Sequence, residues 1–216
     1  ALACEGIEHV PQPGLCYQPF PGAPVAGEPP SRRSGRVSFG CFEDLAQITP
    51  EMLRLWAKLL QACGDARLIL CSRALGSEEA RRSVQERLGA LSIEPGRLVM
   101  SVPDAADPGA LARWQDVDIA LDTFPCNAML GTCDALWMGV PVVTLAGRVA
   151  PSRVGAGILE DAGLPELVAS DGEQYLRIAL ALASDPARLA ALRSGLRARL
   201  QASALLDAAV RLTTSW

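Results

Sequence analysis

The chain has 216 residues, half of them hydrophobic and a fifth charged, with 20 Lys and Arg against 24 Asp and Glu for a net charge of −4. That is ordinary globular composition, long enough for one complete domain with its own core. A mildly acidic chain offers no broad attraction for a polyanion, which argues against a nucleic-acid partner.

Residues 1–35 are rich in Pro and Gly ("VPQPGLCYQPFPGAPVAGEPPSRRSG") and resist both helix and central strand, so they are expected to form an arm or linker. Leu15, Tyr17 and Phe20 are its possible anchors. Residues 36–216 are expected to form the domain. "RVSFGCF" reads as a strand, and "TPEMLRLWAKLLQACG" as a helix capped by Thr49, started by Pro50 and stopped at Gly64. Leu53, Trp56, Leu59 and Leu60 mark its apolar face. "ARLILCS" is a second strand, and "SEEARRSVQERLGALSI" a helix opened by Ser77. "RLVMSV" is a third strand, "DPGALARWQDV" a short helix, and "DIALDTF" a fourth strand, with Asp118 and Asp122 expected to make surface hydrogen bonds. After a small-residue loop come the helix "CDALWMGV" and a fifth strand, "PVVTLAG". Helices over 151–162, 171–184, 186–202 and 204–214 complete the chain, Ser170 and Asp185 serving as caps.

Continuous apolar strands alternating with helices imply a parallel sheet covered on both faces: a doubly wound α/β domain with a helical C-terminal extension. No run reaches the roughly 18 apolar residues of a membrane span. The first residues, "ALACEGIEHVPQPG", lack the basic start and apolar run of a signal peptide. The absence of an initial Met makes a fragment, or a longer protein trimmed at its front, the expectation. Seven cysteines without a CxxC pair, and one histidine, argue against a zinc site and for the cytoplasm. Cys63, Cys71 and Cys133 read as small core residues.

Open parallel sheets bind ligands beyond the carboxyl ends of their strands, where strand order switches. The loop "PCNAMLGT", after the fourth strand, is such a place. A helix beginning near Leu130 would aim free N–H groups and the positive end of its dipole at an anion. Gly131 permits close backbone approach, Thr132 and Asn127 offer polar groups, and Asp134 suits a ribose diol. The competing reading is that Thr132 and Asp134 only cap the helix, and that Arg113 is a solvated helix residue. No catalytic set of nucleophile, base and acid is identifiable, and no metal or cofactor is implied.

The stretches "VSFGCFEDLAQITPEMLRLWAKLL", "DVDIALDTFPCNAMLGTCDALWMGVPVVTLAGRVAPSRVGAGIL" and "AGLPELVASDGEQY", preceded by "LCYQPFPGAP", closely resemble the C-terminal lobe of the O-GlcNAc transferase/SPINDLY family, bacterial type, over nearly the whole chain. The resemblance implies one Rossmann-like lobe of a GT-B glycosyltransferase. Such a lobe holds a nucleotide-sugar donor, usually UDP-GlcNAc, for transfer to Ser or Thr of a protein acceptor. An N-terminal lobe and tetratricopeptide repeats, absent from this chain, would serve as partners.

In that resemblance the ribose-binding carboxylate falls on Asp134 and the nucleobase-side arginine on Arg113. Other positions depart from the family pattern. A lysine near the pyrophosphate is Gln47, preceded by Glu43 and Asp44; a histidine is Ala110; a further basic position is Cys71. The Thr-rich phosphate loop becomes "NAMLGT", with Met129 and Leu130 in polar positions. Each charge-assisted contact to phosphate is worth roughly 1.5–3 kcal/mol, so losing two or three weakens binding by about a thousandfold or more. Two functions follow as expectations. One is the donor lobe of a protein O-glycosyltransferase with a partly degraded phosphate site. The other is a non-catalytic lobe acting as a scaffold or protein-interaction module.

Overall fold

The computed structural model describes residues 16–103 and 108–206. His9, Leu15 and most of the helix expected over 204–214 lie outside them.

The elements run α1 (Ser31–Ser34), β1 (Ser38–Cys41), α2 (Pro50–Ala62), β2 (Arg67–Cys71), α3 (Glu78–Gly89), β3 (Leu98–Ser101), β4 (Ile119–Leu121), α4 (Met129–Trp137), β5 (Val142–Leu145), α5 (Val154–Asp161), β6 (Val168–Ala169), α6 (Gly172–Ala183) and α7 (Pro186–Gln201). All neighbouring strands pair parallel in the order β3-β2-β1-β4-β5-β6. This is the doubly wound order, and its direction reverses between β1 and β4. Chains of this kind cross over right-handed, so the two halves of the sheet place their helices on opposite faces. Accordingly, α2 packs on α3 and α6, while α4 packs on α5 and α7.

Local chemistry sets the helix starts. Thr49, Ser77 and Asp185 accept hydrogen bonds from the N–H groups of Met52, Ala80 and Arg188, with Pro50 and Pro186 at first helical positions. α6 is capped by Asp171, whose side chain accepts from Gln174 N at 2.7 Å, rather than by Ser170, whose hydroxyl instead donates to Gln174 Oε1. The apolar stripe of α2 buries Met52, Leu53, Trp56, Ala57, Leu59 and Leu60. At the centre of the core, Trp56 Nε1 donates to the hydroxyl of Tyr175 (3.2 Å), which donates to the carbonyl of Asp122 (3.2 Å). The polar atoms of two large aromatic residues are thereby satisfied inside an apolar interior.

Three sequence expectations change. β6 is a sixth strand, only two residues long, held by its pairing to β5; so short a run carries no alternation to detect. The segment Pro108–Asp116 is a 3₁₀ helix rather than an α-helix. Asp118 and Asp122 are 1% and 2% exposed, not surface groups. Asp118 accepts from Ser38 N, Ser31 N and Ser31 Oγ at 2.7–3.0 Å, tying α1 and β1 to β4. Its burial is stabilised because each carboxylate oxygen finds a donor.

Residues 16–35 lie against the domain. Tyr17 is 5% exposed and its N–H donates to Leu205 O. Arg193 Nε donates to Gly27 O, and Arg197 donates to Pro24 O. Of the cysteines read as core, Cys71 and Cys133 are buried and Cys63 is half-buried; none of the six described cysteines is in a disulfide. Among the described residues no helix is long and apolar enough to cross a membrane.

Candidate functional site

The strand-order switch opens a crevice between the loop after β1, which carries Phe42 and Glu43, and the loop after β4, which leads into α4. The second loop is fixed from beneath by Asp122. Its carboxylate accepts from Ala128 N (2.7 Å), Thr123 N (2.8 Å) and Thr144 Oγ1 (2.5 Å). Burial outweighs these donors and raises its carboxyl to about 7. Asn127 is buried and engaged: Nδ2 donates to Thr123 O and Leu145 O, while Oδ1 accepts from Gly155 N. It locks the loop to β5 and the start of α5. The Phe124–Pro125 peptide is cis.

α4 starts at Met129, with Ala128 as its N-cap and no side-chain hydrogen bond capping that end. Thr132 and Asp134 sit inside the helix, so the capping role weighed for them does not hold. The N–H groups of Met129, Leu130 and Gly131 have no intrahelical acceptor by the geometry of a helix start. Thr132 is 1% exposed and its Oγ1 has no hydrogen-bond partner among the described residues.

A cavity of about 240 Å³ brings Arg113, Leu130, Gly131 and Asp134 together with Phe42, Glu43, Cys71, Pro103, Leu111 and Trp114. The ring of Trp114 lies against Phe42, centroids 4.1 Å apart. Arg113 is half-buried, its Nη1 3.6 Å from Cys71 Sγ. Asp134 Oδ1 accepts from the Tyr17 hydroxyl at 2.7 Å. Burial raises the Asp134 carboxyl, and the Tyr17 bond pulls it the other way. Burial, followed by the bond to Asp134 and its charge, pushes the Tyr17 phenol well up. Gln47 ends a 3₁₀ turn after β1 and does not line this cavity; its Oε1 is buried without a partner. Met129 and Leu130 are 44% and 60% exposed at the crevice edge.

Two partners of the site were not legible as such in the sequence. Tyr17 stood out only as an anchor of the arm, 117 positions from the carboxylate it contacts. Glu43 stood out, through the resemblance, as an acidic group near the pyrophosphate, but not as a neighbour of Gly131 and Asp134. Its carboxyl is pushed up to about 7, first by burial, then by the charges of Asp134 and Asp44. The arrangement combines a helix start, one guanidinium, a tethered carboxylate and an aromatic wall, a set of groups that can hold a ribose and a phosphate while leaving one end of the ligand open to solvent.

Comparison with known proteins agrees with this geometry. The model of glycosyl transferase family 41 matches residues 33–214. A probable UDP-N-acetylglucosamine–peptide N-acetylglucosaminyltransferase SPINDLY of Petunia hybrida is 37% identical over 205 residues, 95% of this chain and 22% of the relative. A mutant of the Thermobaculum terrenum O-GlcNAc transferase superposes with a TM-score of 0.80 at 36% identity, over 94% of this chain and 37% of that one. The Anabaena HepE structure with UDP and glucose shares the fold alone, with a TM-score of 0.60 at 16% identity over 86% of this chain and 51% of that one. The chain therefore spans about a fifth of the length of such curated relatives. On its sheet order, its crevice and a family match that runs from the end of the arm to the last helices, this chain belongs to glycosyl transferase family 41.

Proposed function

We propose that this chain is the donor-binding lobe of a protein O-glycosyltransferase, taking a nucleotide sugar, UDP-GlcNAc first among candidates, for transfer to Ser or Thr hydroxyls. The observation that carries this reading is the convergence of Arg113, Asp134 and the open start of α4 on one cavity at the strand-order switch. In it, Asp134 receives the ribose hydroxyls and Arg113 lies on the nucleobase side. Leu130, Gly131 and Thr132 present N–H and hydroxyl groups to the diphosphate. That group is the leaving group of an inverting sugar transfer, and fixed dipoles aimed at its developing charge lower the barrier. Asn127 acts from beneath by holding the loop, and Gln47 takes the place of a cationic contact. A general base, the acceptor protein and the second wall of the cleft come from an N-terminal lobe and its repeats. We read residues 36–216 as the lobe, residues 1–35 as its arm, and cysteines that form no disulfide among the described residues as supporting the cytoplasm.

A second reading, a scaffold lobe without catalysis, is favoured by the exposed Met129 and Leu130 and by the carboxylate of Glu43 beside α4. Calorimetric titration with UDP, GDP and UDP-GlcNAc separates the two. Micromolar binding abolished by Asp134→Ala supports the donor lobe. Absence of binding at millimolar ligand supports the scaffold.

A further inference from the structure

Gly131 is the third residue of α4, and a Cβ built on it would collide with Glu43 Oε1 and lie 3.3 Å from Glu43 Cδ. The carboxyl group of Glu43 thus rests against the bare Cα of Gly131. It reaches there from the end of β1, across the strand-order switch, and occupies the end of α4 whose N–H groups have no intrahelical acceptor. An anion in that position is favoured by the helix dipole. Among the described residues, however, no hydrogen bond fixes the carboxylate there. Thr132 Oγ1, buried in the same narrow recess as Glu43 and Gly131, has no partner either. The recess therefore retains unmet polar capacity with Glu43 in it.

The groups around Glu43 make its charge costly. Asp134 faces it from α4, Asp44 follows it in its own loop, and Asp122 lies below at the end of β4. Cys41 closes the recess from β1; Cys71 of β2 lines the adjoining cavity, where the guanidinium of Arg113 is the one cation among the described residues. Those three carboxylates and that of Glu43, four against one guanidinium, would repel a diphosphate that arrived while all were ionised.

Resting on the nucleotide-sugar reading above, we propose that Glu43 is a specificity-determining residue: a built-in occupant of the α4 start that the donor diphosphate must displace, with uptake of a proton. Glycine at position 131 then has a reason within this chain, since any side chain there would bar Glu43 from its seat. The site becomes one that admits a diphosphate at slightly acidic pH and excludes it at alkaline pH.

With the Glu43 carboxyl at about 7 in the free protein, affinity for a diphosphate that requires the protonated form falls about tenfold from pH 6 to pH 8. UDP-GlcNAc is the suitable probe, because its diphosphate is esterified at both ends, whereas a terminal phosphate such as that of UDP titrates near pH ~6. The experiment is calorimetric titration of the full chain with UDP-GlcNAc at pH 6, 7 and 8, in two buffers of different ionisation heat, for the native protein and Glu43→Gln. The expected result is a tenfold loss of affinity with rising pH and uptake of about one proton at pH 8 in the native protein. Glu43→Gln should show a flat profile and bind about tenfold more tightly than the native protein at pH 8. The same slope in both proteins, or equal affinities at pH 8, overturns the role of Glu43 and leaves the nucleotide-sugar reading standing. Absence of binding in both proteins at every pH refutes that reading and this inference together. A ligand-free measurement gives an independent check. The Gly131 amide resonance should titrate with a midpoint near the carboxyl value and cease to do so in Glu43→Gln; a pH-independent Gly131 resonance in the native protein overturns the proposal.

Discussion

Replacing Tyr17 by Phe removes one oxygen and leaves the ring. The edge-on contact with Trp137, centroids 6.4 Å apart at 65°, remains, as does the main-chain bond from Tyr17 N to Leu205 O. The lost group is the 2.7 Å donor to Asp134 Oδ1. Hydrogen bonds to charged acceptors contribute about 1.5–3 kcal/mol, and the half-buried Asp134 recovers part of that from water, so the cost is about 1–2 kcal/mol. For a chain of this length that is a fall of roughly 2–8 °C in Tm. The assay is urea denaturation of Tyr17→Phe, Asp134→Asn and the double variant. A coupling energy of about 1–2 kcal/mol is expected, because each substitution removes the same bond. The Tyr17 hydroxyl also draws the Asp134 carboxyl down, so that carboxyl should titrate higher in Tyr17→Phe when followed by NMR. A coupling below about 0.3 kcal/mol, within the range of independent sites, would refute the claim that the arm holds this carboxylate.

Three further outcomes are expected. Arg193, 3% exposed, donates to the carbonyls of Val117 (2.7 Å), Gly27 (2.9 Å), Trp114 and Gln115. Arg193→Met, leaving at least two of them unsatisfied, should cost about 3–5 kcal/mol in chemical denaturation; a loss under 1 kcal/mol would contradict the packing described. In α5, Gly155→Ala places a Cβ onto Asp122 Oδ2 and Thr144 Oγ1, so overpacking should outweigh the helix gain and destabilise by about 1–3 kcal/mol. The same change at Gly195, where nothing lies within 4 Å, should stabilise by about 0.5–1 kcal/mol. The pH dependence of stability has a defined sign. Glu43 and Asp122 titrate at about 7 in the fold against ordinary values of 4.5 and 3.8, so between those limits the folded chain holds protons that the unfolded chain has released. Their contribution to stability is greatest below about pH 4, declines as pH rises to about 7, and is level above it. Urea midpoints measured from pH 5 to 8 should fall, and Glu43→Gln should flatten the curve.

The order of strands and helices was readable because its signals are local. The apolar runs of β1, β2, β4 and β5, and the Thr49, Ser77 and Asp185 caps, each lie within a few residues of what they specify. β6 was not, since its two residues acquire strand geometry only by pairing with β5. Around the crevice, Leu130, Gly131 and Asp134, placed there by the loop and helix start, and Arg113, placed there by the resemblance alone, line one cavity. The chemistry between distant positions was out of reach. Nothing local in "FEDL" says that Glu43 will lie on the Cα of Gly131, and nothing in "LCYQPF" says that Tyr17 will meet Asp134. Asp122 was misjudged for a related reason. A carboxylate beside an apolar strand normally seeks water, but here the turn after β4 supplies backbone donors that face inward.

The bond from Tyr17 N to Leu205 O, together with those from Arg193 and Arg197 to the arm, joins the first and last described stretches of the chain. Neither stretch can fray by itself. Releasing the arm removes one acceptor from each of two α7 guanidinium groups, and releasing α7 frees the arm that carries Tyr17. The two should open as one cooperative unit, with amide exchange in α7 and in residues 17–31 proceeding at a common rate. Whatever loosens that seam also loosens the tether on Asp134, so the order of the cavity it lines is tied to contacts made between the two ends of the described chain.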